Sequence, residues 1–333
     1  MARGSHDAQR STHARQALLM AARLSLARRL EAFESCRHEL VALSYRMLGD
    51  LGRAEDMVQE AWPRWQAHEG DVASSRAFLV TVVTRLCLSE LGSARARREE
   101  TRPDRLPEPV DLDEGGITRV ERLEQVSMAF LVALQRLTPA ERAVLLLHDV
   151  FDFEHQEIAE RLGNSAVACR KLLERARRSL ATERRMLSAS QEEHRRLLAA
   201  FLRAASGNDL QGVVELLAED AVLVTDGGAE GRRFAGQRNL SRPLQGAARI
   251  AAFVIATARH TVGVLRVEEH RLNGQPAAVF WDGARPFAAL VLAVGDGKVQ
   301  RVYFHADLHR LSRLGRQVDL DLNLSRWWSS SRE

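Results

Sequence analysis

The hydrophobic pattern of the chain changes near residue 205, and this change limits the possible folds more than any other feature. Upstream, apolar residues recur every three or four positions, and one helix face holds Phe33, Leu40, Leu43 and Met47. Downstream, strand-like runs alternate with hairpin turn signals such as Asn273-Gly274 and Asp282-Gly283. Helices followed by a strand meander predict a multidomain protein, in which all-α modules precede an α+β domain whose helices pack on one face of a curved sheet.

A basic helix follows a glycine turn between residues 162 and 180. Cys169, Leu173, Ala176 and Leu180 form one apolar stripe, and Ser165 is a good N-cap after the Gly163-Asn164 turn. The opposite face is rich in arginine, and "EHQEIAERLG" supplies a short helix upstream. The pattern is typical of a DNA-binding helix-turn-helix, although an amphipathic helix pair in any α-helical domain remains an alternative.

Composition and cysteine content limit the class of protein. The chain of 333 residues is 45% hydrophobic, which favours a globular fold, and its formal net charge of +4 does not by itself imply nucleic acid. Cys36, Cys87 and Cys169 lie apart and lack metal-ligand spacing, so we expect reduced thiols, no metal and a cytoplasmic location. No apolar run suits a membrane span or a secretion signal.

A proline-rich segment separates two helical modules. The stretch "TRPDRLPEPVDLDEGG" at 101–116 holds three prolines and a Gly-Gly pair, which exclude a helix and predict a linker that is semi-rigid at 106–110.

We expect a basic extension at 1–32, helical modules at 33–100 and 119–187 joined by a linker at 101–118, an α+β domain at 194–311 and a tail at 312–333. In the tail, "VDLDLNL" could form an edge strand, and Trp327-Trp328 could dock in a groove.

Several motifs carry a family likeness. "RAEDMVQEAW", "SSRAFLVTVVTRL" and "LTPAERAVLLLHDVFDFEHQEIAERLGNSAVACRKLLERARRSL" resemble regions 2 and 4 of bacterial sigma factors of the extracytoplasmic-function group. The linker "LPEP" and the turn "TDGG" at 225–228 are similar to the subgroup with a C-terminal SnoaL-like extension. The resemblance implies two all-α sigma modules, region 2 and the region 4 helix-turn-helix, followed by an α+β SnoaL/NTF2-like cone domain.

The same resemblance implies a function and partners. A protein of this kind would bind core RNA polymerase, through the β′ clamp helices and the β flap, and direct initiation at selected promoters. It would need no cofactor, metal or catalytic turnover, and it would act without a membrane. Its C-terminal domain would regulate it in cis, with any small ligand of that domain unknown.

The resemblance assigns roles to individual residues. Polymerase binding falls to Asp56, Gln59 and Glu60 in region 2. Arg76 and Arg85 stand in the helix that would read and open the minus-ten element, with Arg85 expected at a backbone phosphate, and the base pocket is expected in the loop at 68–75. The resemblance assigns contacts to the minus-thirty-five element to Arg170, Lys171, Glu174, Arg175 and Arg178. Glu174 could instead pair with Arg170 or Arg178. The regulatory contact falls to Leu106, Pro107, Glu108 and Pro109 against Asp226, Gly227 and Gly228.

Departures from the family pattern lead to further expectations. Pro63 stands inside the region 2 helix that would bind polymerase, and it predicts a kink or an end there. Gly92 weakens the end of the next helix, whose inner face we expect at Phe78, Val82 and Leu86, with Val83 a further candidate.

Two other functions stay open at this point. The chain could be a small-molecule isomerase or cyclase with a helical appendage, and the candidate catalytic residues are then Asp226, His260, His270, Asp282 and His305. It could also be a ligand-responsive DNA-binding regulator that never contacts polymerase.

Overall fold

The computed structural model describes residues 4–96 except 69 and 71, 105–111, 127–181, 189–228, and 233–314 except 235, 236, 239 and 241. The predicted edge strand at 318–324 and the pair Trp327-Trp328 lie outside the described residues. The helices are α1 (Gly4–Leu48), α2 (Leu51–Gln66), α3 (Ser75–Ala96), α4 (Met128–Arg136), α5 (Pro139–Asp149), α6 (His155–Leu162), α7 (Ala166–Ala181), α8 (Gln191–Ser206), α9 (Leu210–Leu216), α10 (Ala247–Thr261) and α11 (Leu308–Leu311). The strands are β1 (Leu217–Asp226), β2 (Arg233–Phe234), β3 (Gln237–Arg238), β4 (Leu244–Gln245), β5 (Arg266–Leu272), β6 (Gln275–Asp282), β7 (Arg285–Gly295) and β8 (Lys298–His305).

The chain divides into two compact units. The helical unit consists of residues 1–99 and 137–176, and the sheet unit consists of residues 100–136 and 177–333. The predicted order of helices before a strand meander is confirmed. The units are not simply consecutive along the chain, because α4 belongs to the sheet unit while α5 and α6 belong to the helical unit.

In the helical unit, α1 supplies the expected inner face. Phe33, Leu40, Leu43 and Met47 are all buried, where α1 packs against α2 and α3. Burying large apolar side chains of this kind stabilises the fold by about 1.5–3 kcal/mol each.

The predicted inner face of α3 is partly wrong. Phe78 and Val82 are only half-buried, whereas Leu79 and Val80 are fully buried together with Val83. Since α3 contacts α1, α2, α5 and α6, it is covered on several sides. Its sequence is apolar around most of the helix, and periodicity therefore could not select one face.

Helix α2 does not end at Pro63 but continues to Gln66. The last turn is held by Trp65, which is buried and whose indole Nε1 donates to the Arg29 carbonyl at 3.0 Å. In return, the Arg29 guanidinium donates to the carbonyls of Trp65 (2.7 Å) and Gln66 (3.1 Å). These bonds satisfy carbonyls at the helix C-terminus and offset the hydrogen bond that proline cannot make.

The helix-turn-helix forms as its sequence predicts. Thr138 and Glu141 make a reciprocal capping box at the start of α5, with Pro139 at the first helical position. Gly163 ends α6 at a φ of +68°, a left-handed conformation that glycine adopts without steric cost. Ser165 Oγ then accepts the Ala168 amide at 3.2 Å, which caps α7.

The sheet unit is built on six strands in the order β4-β1-β8-β7-β6-β5. Strands β1 and β8 pair in parallel, and the other neighbours are antiparallel. One face packs on α8 and α10 through a core that includes Phe201, Ile250 and Val302. The expectation of helices on only one face is wrong, because the opposite face is also covered, by α4, α11 and Leu106 of the linker. Strand β7 is apolar and buried on both sides, the pattern that two covered faces require.

A buried arginine joins α5 to α1 within the helical unit. Arg142 is 5% exposed, and its guanidinium donates to the Met47 carbonyl at the end of α1 and to the Leu137 carbonyl at 3.4 Å. We expect Arg142→Ala to lower the free energy of unfolding by about 1–3 kcal/mol, because it leaves buried carbonyls unsatisfied. Urea unfolding followed by circular dichroism measures the change. The matched control Arg64→Ala, which removes the exposed pair with Glu60, should change it by less than about 1 kcal/mol.

Two buried histidines make the stability of the sheet unit depend on pH. Burial, with the nearby Arg310 cation, lowers the pKa of His305 to about 3, and burial lowers the pKa of His194. Below about pH 6.5 the unfolded chain binds protons that the folded chain excludes, so stability is present above that pH and is lost as the pH falls.

For His305 the loss extends from about pH 6.5 down to its folded pKa of about 3, with a slope of about 1.4 kcal/mol per pH unit. We expect the difference in unfolding free energy between the wild-type chain and His305→Gln to shrink as the pH falls from about 6.5 to about 4.5. Chemical unfolding at several pH values measures it, and a difference that stays constant would contradict the assignment.

Candidate nucleic-acid interface

The basic face of α7 consists of Arg170, Lys171, Glu174, Arg175 and Arg178. All of them are exposed, whereas Cys169, Leu173 and Ala176 on the opposite side are buried. The buried stripe fixes the rotation of the helix, so that the basic side chains point outward. Such a face can enter a DNA groove without disturbing the core.

The side chains of this basic face differ in their intramolecular partners. Arg175 Nε donates to Glu141 Oε1 at 2.8 Å, and this hydrogen bond lowers the pKa of the Glu141 carboxyl. Glu141 also caps α5, so Arg175 is tied to the start of that helix. Arg170 and Lys171 have no hydrogen bond or ion pair with any residue of the described ranges. These two cations are therefore the ones available to an anionic partner.

Arg76 and Arg85 on α3 are both engaged inside the helical unit. Arg76 forms a two-bond pair with Glu39, with Nε donating to Oε2 at 2.7 Å, and this hydrogen bond raises the pKa of the guanidinium. The same guanidinium lies 5.3 Å from the ring centre of Phe151, which follows α5. Arg85 Nε donates to the carbonyl of Arg161 in α6 at 2.8 Å. The α3 arginines thus contact the helix-turn-helix segment, although Arg85 is exposed and Arg76 is half-buried.

The residues expected to bind polymerase share the outer face of α2. Asp56, Gln59 and Glu60 are exposed, and Val58 between them is buried. Glu60 pairs with Arg64 one turn along at 2.7 Å. The face carries acidic and amide groups and suits a basic partner.

An aromatic cluster stands where the predicted base-pocket loop begins. The ring of His68 lies 4.5 Å from that of Phe78 and 6.5 Å from that of Trp65, and Trp65 and Phe78 are 5.3 Å apart. Residues 69 and 71 of this loop lie outside the described residues. Aromatic faces of this kind can stack on an unpaired base.

Within the sheet unit, the structure brings the linker to the "TDGG" turn. Asp226 Oδ2 accepts the Leu106 amide at 3.0 Å, and Arg310 donates to the Leu106 carbonyl. The Arg310 guanidinium also lies 3.8 Å from the same carboxylate oxygen. Leu106, Pro107, Glu108 and Pro109 are all buried. The segment is therefore part of the domain, and its polar backbone groups are bonded inside it.

Further bonds hold the linker on either side of Leu106. Asn273 exchanges two bonds with Val110, one to its amide (3.2 Å) and one to its carbonyl (2.8 Å). Glu108 lies 3.4 Å from Arg313. His270 Nδ1 is 2.7 Å from the carboxylate of Asp111. Sequence reasoning missed Asn273, Arg310 and Arg313, because nothing in their local sequence signals a partner more than 160 residues away.

The first helix after the linker is tied to the same domain. Gln275 Oε1 accepts the Met128 amide, the first of α4, at 3.1 Å. The Gln275 amide nitrogen is then left to donate to His194 Nε2 at 3.0 Å, which requires a neutral imidazole protonated at Nδ1. That nitrogen lies 3.2 Å from the Ser190 carbonyl. A chain of three bonds thus anchors the start of α4.

The candidate catalytic residues do not meet in one site. Asp226 binds the linker, His270 contacts Asp111, and His305 is fully buried. His260 and Asp282 are exposed at the ends of α10 and β6. Among the described residues, no group of three or more His, Cys, Asp or Glu side chains could hold a metal ion, and no helix in this part of the chain is long and apolar enough to cross a membrane.

Family models match both helical regions of the chain. The Sigma-70 region 2 model matches residues 32–97, and the Sigma-70 region 4 model matches residues 127–180. Among curated proteins, the extracytoplasmic-function (ECF) RNA polymerase sigma factor SigJ of Mycobacterium tuberculosis is 34% identical over 280 residues, which cover 80% of this chain and 88% of that protein. SigG of the same organism is 32% identical over 315 residues, covering 85% and 82%.

A solved structure is similar over the same range. The crystal structure of M. tuberculosis SigJ superposes with a TM-score of 0.65 at 29% identity, and the match covers 84% of this chain and 97% of that one. The likeness therefore includes the helical regions and the α+β domain together.

Substitution of Gly228 tests the geometry of the turn that binds the linker. Its φ is +73°, its amide donates to Asp226 Oδ1 at 2.9 Å, and an added Cβ would stand 2.8 Å from Asp307 Cγ. We expect Gly228→Ala to lower the unfolding free energy of the sheet unit by about 1–3 kcal/mol, because it adds both strain and a clash. Gly297→Ala has similar strain (φ +73°) but no neighbour within 4 Å, and it should cost less. Equal losses in thermal unfolding would contradict the proposed close approach.

Proposed function

The chain belongs to the ECF RNA polymerase sigma factors, and we propose that the faces described above divide polymerase binding, promoter reading and regulation among them. As a sigma factor it binds core RNA polymerase and directs initiation at selected promoters. Initiation takes place where core polymerase and the chromosome are, so we propose a cytoplasmic location. Neither a cofactor nor catalytic turnover is part of this function.

The outer face of α2 is our candidate for the polymerase contact. Asp56, Gln59 and Glu60 project from a helix whose other side is packed by Val58 and Trp65. A rigid acidic face complements the basic coiled coil that we propose as its partner, the β′ clamp helices. Charge complementarity of this kind raises the association rate and selects the partner. Region 4 would bind the β flap.

The basic face of α7 is our candidate for reading the minus-thirty-five element. Arg170 and Lys171 lie in the first half of the helix and have no side-chain partner among the described residues, so we assign them to base edges. A bidentate contact to a base contributes about 1–3 kcal/mol of discrimination. Arg175 and Arg178 lie farther along and would bind phosphates, which position the helix without reading sequence.

Promoter opening requires the α3 arginines to change partners. Arg76 and Arg85 contact Glu39, Phe151 and Arg161 in this structure. In binding the minus-ten element they would exchange these contacts for contacts to DNA, as α3 moves away from the helix-turn-helix segment. We therefore propose that this arrangement of the helical unit is a closed one, which opens when the factor binds polymerase and DNA.

The sheet domain is our candidate for regulation in cis. It holds the linker through Asp226 and Arg310, and it holds the start of region 4 through Gln275. The connection between regions 2 and 4 is thus anchored at two places on one sheet. The observation that carries this proposal is the buried bond between the Leu106 amide and Asp226. A domain that binds the connection at these two places can limit how far regions 2 and 4 separate.

In vitro transcription tests the promoter-reading proposal. With core polymerase and a promoter selected by the wild-type chain, Arg170→Ala combined with Lys171→Ala should reduce specific transcripts at least tenfold, which corresponds to about 1.4 kcal/mol. Transcription from promoters that differ only in the minus-thirty-five bases should become more nearly equal. The control Arg249→Ala removes an exposed arginine from α10 and should transcribe as the wild type does.

Two results would contradict these assignments. Unchanged promoter choice by the double variant would remove α7 residues 170 and 171 from base reading. Binding of promoter DNA by the chain alone, with no association with core polymerase in a pull-down, would favour a DNA-binding regulator instead.

A further inference from the structure

The sheet domain contains a cavity of about 390 Å³ between α8, α10 and the inner face of the sheet. Its walls are apolar and include Phe201, Phe253, Phe280, Phe304 and Leu290. Cavities that bind small molecules have volumes of about 300–1,000 Å³ and are lined mainly by apolar and aromatic side chains. The cavity lies on the face of the sheet opposite the linker, since alternate residues of β7 and β8 point to the two sides.

The few polar groups in the wall offer almost no donors to a ligand. The Thr257 hydroxyl donates to the Phe253 carbonyl at 2.8 Å, and the Ser206 hydroxyl donates to the Arg203 carbonyl at 3.1 Å. The Thr261 hydroxyl donates within α10, at 3.2 Å from the Ala258 carbonyl and 3.3 Å from that of Thr257. No imidazole or carboxylate belongs to the described lining. Such a wall suits an apolar body and offers no acid or base for catalysis.

One charged group stands at the cavity. Arg203 lines it, is exposed, and makes no side-chain hydrogen bond or ion pair with the described part of the chain. A guanidinium in this position can bind a carboxylate with two hydrogen bonds while it remains at the water boundary. It is the only ionisable side chain among the described lining residues.

The mouth of the cavity is apolar as well. Val262 and Val267 are 54% and 46% exposed and both line the cavity, and Val264 between them is 73% exposed. Gly263, at a φ of +79°, turns the chain between α10 and β5 at this place. Apolar side chains that cluster at an opening in a soluble domain are typical of a ligand entrance.

We propose that this cavity binds a small molecule with an apolar body and one carboxylate, whose charged end lies at Arg203. The apolar part fills the space between the four phenylalanines, and the carboxylate stays at the mouth. The site is a receptor rather than a catalytic site. Its place on the sheet also gives it a route to the linker, because strands that line the cavity carry, on their other face, residues of the same core cluster as Leu106 and the α4 residues Met128 and Ala129.

Calorimetric titration of the full chain with dodecanoic acid, below its critical micelle concentration, and with dodecan-1-ol, below its solubility limit, tests the proposal. We expect both compounds to bind with a negative heat-capacity change, because apolar surface is buried. Ala258→Phe places a ring in the cavity and should weaken the binding of both compounds at least tenfold. The matched control Ala252→Phe makes the same change on the exposed side of α10 and should bind as the wild type does.

A further variant tests the charged end. Arg203→Gln should weaken the binding of dodecanoic acid at least fivefold and leave the binding of dodecan-1-ol unchanged. Circular dichroism shows whether each variant folds. If Ala258→Phe does not fold, Val254→Trp serves as a second variant that blocks the cavity. The proposal is overturned if neither compound binds the wild type, if a folded blocking variant binds as the wild type does, or if Arg203→Gln affects both compounds equally.

Discussion

The buried carboxylate of Asp226 is the constraint on which the organisation of the sheet unit depends. It is 5% exposed, it accepts the amide of a residue 120 positions away, and it lies beside the Arg310 guanidinium. Removing one partner of a buried ion pair costs about 3–5 kcal/mol, because the other charge is left uncompensated. Departure of the linker would break the bonds that the Leu106 amide and carbonyl make to these two side chains, and it would expose the buried Leu106 side chain to water. A segment that its prolines make extended thus becomes a fixed part of the fold.

The two faces of the sheet carry different features that bear on the function of a sigma factor. The outer face carries the linker and α4, through which regions 2 and 4 are joined to the domain. The inner face carries the apolar cavity. The regions themselves are packed so that Arg76 and Arg85 contact neighbouring residues of the helical unit. In our proposal these contacts open on initiation, and the domain holds the connection between the two regions.

Much of the fold could be predicted from local sequence, and the parts that could not share a physical cause. The capping box at Thr138, the turn at Gly163 and the hairpins of the meander depend on residues close in sequence. The inner face of α3 and the continuation of α2 past Pro63 depend on distant neighbours, such as Arg29 against Trp65. The bonds of Arg310 and Asn273 to the linker likewise join residues far apart. A single sequence shows which residues can make such bonds but not which of them meet.

Hydrogen exchange on the full chain tests the central claim most directly. If Asp226 holds the linker, the amides of Leu106 and Val110 should be protected to a degree similar to those of β8. Asp226→Ala should make them exchange at least a hundredfold faster, whereas Asp220→Ala, an exposed position on the same strand, should not. Fast exchange of these two amides in the wild-type chain, or equal protection in Asp226→Ala, would contradict the account.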